Sequence, residues 1–178
     1  IGQRVGIGWS AGCRDLVTGL TFDGGYAEYA VAHAAGLVAI PDGLSAEQAA
    51  PLMCAGVTTF TALKHSVARM GDLVAISGIG GLGHLAIQYA QRAGFRTVAI
   101  SRGRAKAELA QKLGAHHYID GAAEDVGKAL QALGGAKVII ATAPSAAAIS
   151  SAVSGLSFGG EVVIVAGSGD KLDLSPIQ

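Results

Sequence analysis

The chain has 178 residues, enough for one ordinary domain with a real core and part of a second. Hydrophobic residues make up 51% of it but aromatic residues only 5%, which favours closely packed helices and strands over an aromatic-rich β fold. Its 13 Lys and Arg balance its 13 Asp and Glu, so there is no bulk attraction for a polyanion, and nucleic acid and acidic membranes are poor partners.

In chain order, Arg4 to Trp9 and Tyr26 to Val31 read as short strands, punctuated by Gly24-Gly25. Leu37 to Ile40 is a further short strand, closed by Pro41-Asp42-Gly43. These pieces suggest part of an antiparallel β structure, too short to be a barrel of its own. Ser45 caps a predicted helix to about Met53, with Gln48 completing a capping box. A second helix is predicted over Thr58 to Val67.

From Asp72 the pattern alternates. Strands are predicted at 73–77, 97–100, 117–119, 137–141 and 161–166, with helices at 83–93, 106–113, 125–133 and 146–156. Such alternation implies βαβ units, a parallel sheet and helices on both faces. Two uncharged runs, Leu73 to Gln91 and Val138 to Gly160, are long enough to span a bilayer. Each is broken by glycines, Pro144 or serines, and each divides into strand, turn and helix. Both therefore read as buried α/β structure, with no membrane association expected.

Cys13 and Cys54 are the only cysteines, too few and too widely spaced for a disulfide framework. With no secretory leader pattern, the expected compartment is the reducing cytoplasm. The sequence starts at Ile1 rather than Met, which suggests a processed or truncated start.

Gly78-Ile79-Gly80-Gly81-Leu82-Gly83 follows a predicted strand and opens a predicted helix, the context that gives this spacing its meaning. The first glycine permits a tight turn, the second lets backbone approach a pyrophosphate, and the third allows close helix–strand packing. Free amides and the helix dipole then face the phosphates. The alternative is a glycine-rich turn with no ligand. The register of strands around the loop favours a Rossmann-type dinucleotide site.

An NAD site of this kind carries an acid about 20 residues after the loop, on the ribose hydroxyls. Here the second strand ends Ile100-Ser101-Arg102-Gly103-Arg104, with no acid. Ser101 can donate to a 2′-phosphate, and Arg102 and Arg104 can fork onto it, with Lys106 adding charge. The alternative is an ordinary basic helix start. Cations oppose the dipole there, so a local anion would account for them. The expected cofactor is NADP(H).

Several segments together resemble the medium-chain dehydrogenase/reductase superfamily, specifically the zinc-dependent alcohol dehydrogenases of the cinnamyl alcohol dehydrogenase type. They are Gly24 to Tyr29, Pro51-Leu52-Met53-Cys54-Ala55-Gly56-Val57-Thr58-Thr59, Gly78 to Tyr89, Lys112 to Ala115 and Val163 to Gly167. The resemblance implies a doubly wound Rossmann domain over 46–178, preceded over 1–45 by part of a GroES-like antiparallel β domain. It implies reversible hydride transfer between a primary alcohol and an aldehyde, with a catalytic zinc as Lewis acid. It makes Cys54 a zinc ligand, puts Thr58 beside the nicotinamide and Trp9 near the substrate pocket, and places backbone around Thr142 and Gly167 along the nicotinamide ribose. Homodimers or homotetramers are common in the family.

Each role has a plainer alternative. Cys54 could be a small buried hydrophobe, Thr58 a helix-start cap and Trp9 a core residue. His33 and His65 show no metal-like spacing with Cys54, His84 sits just inside the helix after the glycine loop, His116 and His117 adjoin the third sheet strand, and none is assigned to zinc. The family's other catalytic ligands, its proton relay, its four-cysteine lobe and its sixth sheet strand have no match here. By the resemblance, the chain is the middle of a longer enzyme. Two other readings stand beside it: a zinc-free NADPH-dependent enone or quinone reductase of the same superfamily, and a non-catalytic NADPH-binding module.

Overall fold

A computed structural model describes residues 2–8 and 17–175, which fall into two compact units, Ile1–Val57 and Thr58–Gln178. Trp9 and Cys13 lie outside the described residues.

In the first unit, β1 (Val5–Ile7) pairs antiparallel with β2 (Leu37–Ala39), Gly6 opposite Val38. A Cβ at Gly6 would sit 2.5 Å from the Met53 sulfur, so that thioether packs where a side chain would be. The Arg4 guanidinium donates to the Leu44 carbonyl at 2.7 Å. Tyr26 to Val31 is not a strand: Tyr26, Tyr29 and Val31 are exposed and the segment joins no ladder. Strand-forming side chains do not make a strand without a neighbour to accept their backbone bonds.

The capping box forms as expected at α1 (Ala46–Ala49). The Ser45 hydroxyl accepts from the Gln48 N–H at 3.3 Å, and the Gln48 side-chain Oε1 accepts from the Ser45 N–H at 3.1 Å. The predicted single helix to Met53 instead changes at Ala50 to a 3-10 turn, Ala50–Met53. Pro51 sits in its first turn and has no N–H with which to continue an α-helical ladder. A new helix, α2, covers Ala55–Lys64, starting earlier than Thr58.

The second unit is an all-parallel five-stranded sheet. Its strands are β3 (Leu73–Ser77), β4 (Arg96–Ser101), β5 (His117–Asp120), β6 (Ala136–Ala141) and β7 (Leu156–Ile164). Their spatial order is β5-β4-β3-β6-β7, and every pairing is parallel. The crossover helices are α3 (Gly81–Arg92), α4 (Ala107–Lys112), α5 (Val126–Ala132) and α6 (Ala146–Val153).

Side chains alternate across the sheet with period two. Val74, Ile76, Ala99, Val138 and Ile140 face one side, packed with Ala62 and Leu63 of α2, Ala86, Ile87 and Ala90 of α3 and Ala110 of α4. Leu73, Ala75, Val98, Ile100 and Ile139 face the other, with Val126 and Leu130 of α5 and Ala152 of α6. All five residues of β3 are buried, as befits a central strand covered on both faces. Each uncharged run resolves into strand, turn and helix, and among the described residues no helix is long and apolar enough to cross a membrane.

This is the doubly wound Rossmann-type arrangement. The order reverses between β3 and β6: the chain steps outward from β3 through β4 to β5, then returns to β6 on the other side. Ligands in such sheets bind beyond the carboxyl ends of the strands at this switch point.

Candidate functional site

A cleft of about 620 Å³ opens at that switch point. Its walls are the glycine loop (Ser77 to Gly80), the end of β4 (Ile100 to Arg102 with Lys106), and the segment from Thr142 to Ser151 after β6. Among the residues lining it, the charged ones are Arg102 and Lys106, and no carboxylate contributes.

The glycine loop has the geometry its spacing predicts. Gly78 takes φ +102°, and a Cβ there would lie 2.9 Å from Ala143 Cβ and from Thr142 Oγ1. A Cβ at Gly83 would fall 1.9 Å from the Gly78 carbonyl oxygen, so α3 and the loop touch as only glycine allows. Gly80 and Gly81 are different: built Cβ atoms there meet nothing within 4 Å. Protein packing does not demand glycine at these two positions, whereas close approach of a ligand to the backbone would. Gly80 lines the cleft at the start of α3, a 12-residue helix whose first amides lack intrahelical partners. The cradle therefore fits a dinucleotide's pyrophosphate.

The opposite wall holds the loop in place. The Thr142 hydroxyl lies 2.9 Å from the Gly78 carbonyl and 3.1 Å from that of Ser77, and donates to this pair. The backbone N–H groups of Thr142 and Ala143 both donate to the Ser77 carbonyl, at 2.9 and 3.1 Å. The Gly78 N–H donates to Ile100 at 2.8 Å, which ties the loop to β4 as well. Lys106 reaches across the cleft, its ammonium donating to the Ile79 carbonyl at 2.6 Å. This bridge was not legible from sequence, because it spans 27 residues and depends on the loop's fold.

The cleft brings together Gly78, Gly80, Ser101, Arg102 and Thr142. Gly81, Leu82 and Gly83 build the start of α3 behind it. Arg104 is exposed and lies off the lining, its carbonyl accepting from the Ala107 N–H at 3.0 Å. Gly167 is exposed beyond β7, also off the lining. Thr58 is the fourth residue of α2 and half-buried, so it is not a helix-start cap. Cys54 is a free, exposed thiol between the 3-10 turn and α2, not the buried hydrophobe of the plainer reading.

Three histidine rings are engaged within the fold. His33 Nδ1 accepts from the Ala35 N–H, His116 Nδ1 accepts from the Thr97 N–H, and His84 Nδ1 lies 3.4 Å from the Gly80 carbonyl. Among the described residues, no group of three or more His, Cys, Asp or Glu sits together as a metal site would require. A catalytic zinc takes three protein ligands, and Cys54 offers one.

The parallel sheet, its switch-point cleft and its glycine cradle define a doubly wound α/β domain of the Rossmann class. Residues 81–178 match the family model described as zinc-binding dehydrogenase, and the chain belongs to that family. It is 46% identical over 181 aligned residues to alcohol dehydrogenase patD of Aspergillus clavatus, covering 93% of this chain and 47% of that protein. It is 43% identical to an alcohol dehydrogenase of Geobacillus stearothermophilus, covering 93% and 54%. Among solved structures, a protein of Sinorhizobium meliloti 1021 described as a zinc-binding dehydrogenase and bound to NADP superimposes with a TM-score of 0.81. That match has 29% identity and covers 94% of this chain and 51% of the other. The alcohol dehydrogenase of Aeropyrum pernix gives 0.79 at 32% identity, covering 90% and 49%. The chain spans about half the length of the curated relatives it matches.

Proposed function

We propose that this chain supplies the nucleotide-binding part of an NADP(H)-dependent oxidoreductase of the alcohol dehydrogenase type. In this reading a hydride passes between the nicotinamide and a primary alcohol or aldehyde: NADPH, the aldehyde and a proton give NADP⁺ and the alcohol. The observation that carries the cofactor assignment is the charge of the cleft, lined by Arg102 and Lys106 with no carboxylate where β4 ends. A ribose 2′-phosphate placed there meets a guanidinium fork, the Ser101 hydroxyl and an ammonium with three N–H groups, one of them on Ile79. A carboxylate at that point would repel it. The NADP bound by the Sinorhizobium relative agrees with this preference.

Within the same reading, residues 1–45 belong to a GroES-like domain, and Cys54 is the zinc ligand that this sequence offers. Cys54 is an exposed residue with a free thiol, which suits that role. Thr58 would stand beside the nicotinamide, with backbone near Thr142 and Gly167 along its ribose. The reading further expects a cytoplasmic enzyme, dimeric or tetrameric, related most closely to the cinnamyl alcohol dehydrogenase type.

The cofactor assignment is tested by titrating NADPH and NADH into the intact protein and its Arg102→Ala variant. NADPH affinity is expected to fall about ten-fold or more, and NADH affinity to stay within about two-fold, as for loss of a charge-assisted bond. Equal losses would show that Arg102 does not read the 2′-phosphate. The zinc assignment is tested by metal analysis of the intact protein and of Cys54→Ser. Aldehyde reduction that survives both a chelator and Cys54→Ser would replace it with the zinc-free enone or quinone reductase reading. NADPH binding with no turnover of any of these substrates would favour the non-catalytic module.

A further inference from the structure

The turn that carries Arg102 is held from the neighbouring strand. In the β4–β5 register Asp120 stands directly opposite Ser101. Asp120 is only 8% exposed, and its Oδ1 accepts from two backbone N–H groups: Gly103 at 2.7 Å and Ala122 at 3.0 Å. Two residues earlier on the same strand, the Tyr118 hydroxyl donates to the Gly103 carbonyl. Both backbone polar groups of Gly103 are thus pinned by side chains of β5.

Gly103 needs such fixing. Its φ of +71° is left-handed, a conformation glycine adopts without steric cost, and these two side-chain bonds fix its peptide groups in it. The residue before it, Arg102, lines the cleft; Asp120 and Tyr118 do not. Asp120 is also not an NAD-type acid displaced by one strand. Its Oδ1 is taken up by the turn, and the residue stays outside the cleft wall.

We propose that Asp120 and Tyr118 are positioning residues for 2′-phosphate recognition. By fixing the Gly103 peptide groups they hold Arg102 in the cleft, and they set the preference for NADPH over NADH without touching the cofactor. The inference rests on the NADP(H) assignment above.

The test is the ratio of NADPH to NADH affinity in the intact protein, read by titration for six variants. Asp120→Ala is expected to lower the ratio about ten-fold and Tyr118→Phe about three-fold, with NADH affinity within about two-fold of the parent, since hydrogen bonds to the turn are lost while the cradle stays. Asp120→Asn keeps an oxygen at Oδ1 and should retain the ratio, a rescue that general loss of structure would not give. Arg102→Ala should lower the ratio, and adding Asp120→Ala to it should lower it no further, because the two act through one group. Equal loss of both nucleotides in Asp120→Ala would overturn the proposal. So would an unchanged ratio in both Asp120→Ala and Tyr118→Phe while Arg102→Ala lowers it. If Arg102→Ala leaves the ratio unchanged, the NADP(H) assignment itself fails and takes this inference with it. Should Asp120→Ala not fold, Tyr118→Phe and Gly103→Ala decide: a lowered ratio in both supports the clamp, and an unchanged ratio overturns it.

Discussion

Glycines in one loop serve different ends, and substitutions separate them. At Gly83 the constraint is internal, because a methyl would overlap the Gly78 carbonyl oxygen at 1.9 Å. Gly83→Ala is therefore expected to destabilise the fold by about 1–3 kcal/mol, the usual cost of overpacking. Urea unfolding would measure it. At Gly80 nothing in the protein lies within 4 Å of the added carbon, and its φ of −107° suits alanine. Gly80→Ala should leave the unfolding midpoint nearly unchanged and yet weaken NADPH and NADH together, about ten-fold or more, by denying phosphate the approach to backbone. A Gly80→Ala protein that binds both nucleotides normally would remove the pyrophosphate from this loop. Thr142 acts on the same loop from β6: Thr142→Val removes the donor to the Ser77 and Gly78 carbonyls, at an expected cost of about 1 kcal/mol.

At the scale of elements, the second unit was largely legible because glycines punctuate it and because its strands are buried on both faces. Leu73 to Ser77 reads as an apolar run and is the central strand. Leu130 on α5 is fully buried against the same sheet, so Leu130→Ala should cost about 2–5 kcal/mol in urea unfolding, as cavity-forming substitutions do. Where the reading of elements failed, a partner or a backbone irregularity decided. β7 begins at Leu156, not Glu161, because Ser157 to Gly160 looks like a turn but continues the strand through a register shift against β6. Gly159 takes φ +64° within it. Tyr26 to Val31 has the composition of a strand and no ladder to join. The glycine loop and Arg102 were visible as local patterns. The Lys106 bridge and the Asp120–Gly103–Tyr118 clamp were not, since they depend on which strands become neighbours.

For the whole molecule, the cleft's lining comes entirely from the unit that runs from Thr58 onward, so cofactor binding should be felt there first. A ligand that binds only the folded state raises its stability by an amount set by concentration over Kd, about 2.7 kcal/mol at a hundred-fold excess. Amides of β3 and β6 that exchange only when the sheet opens should then slow about a hundred-fold when NADPH is added at that excess. The strands β1 and β2 share no residue with the cleft, and their amides should slow much less. Hydrogen exchange read by mass spectrometry, with and without NADPH, distinguishes the outcomes. Selective slowing in the sheet places the binding energy in the Rossmann unit. Equal slowing in β1 and β2 would mean that the two units open as one cooperative body. No slowing in β3 and β6 would mean that NADPH does not bind this cleft, and both the cofactor assignment and the clamp would fall.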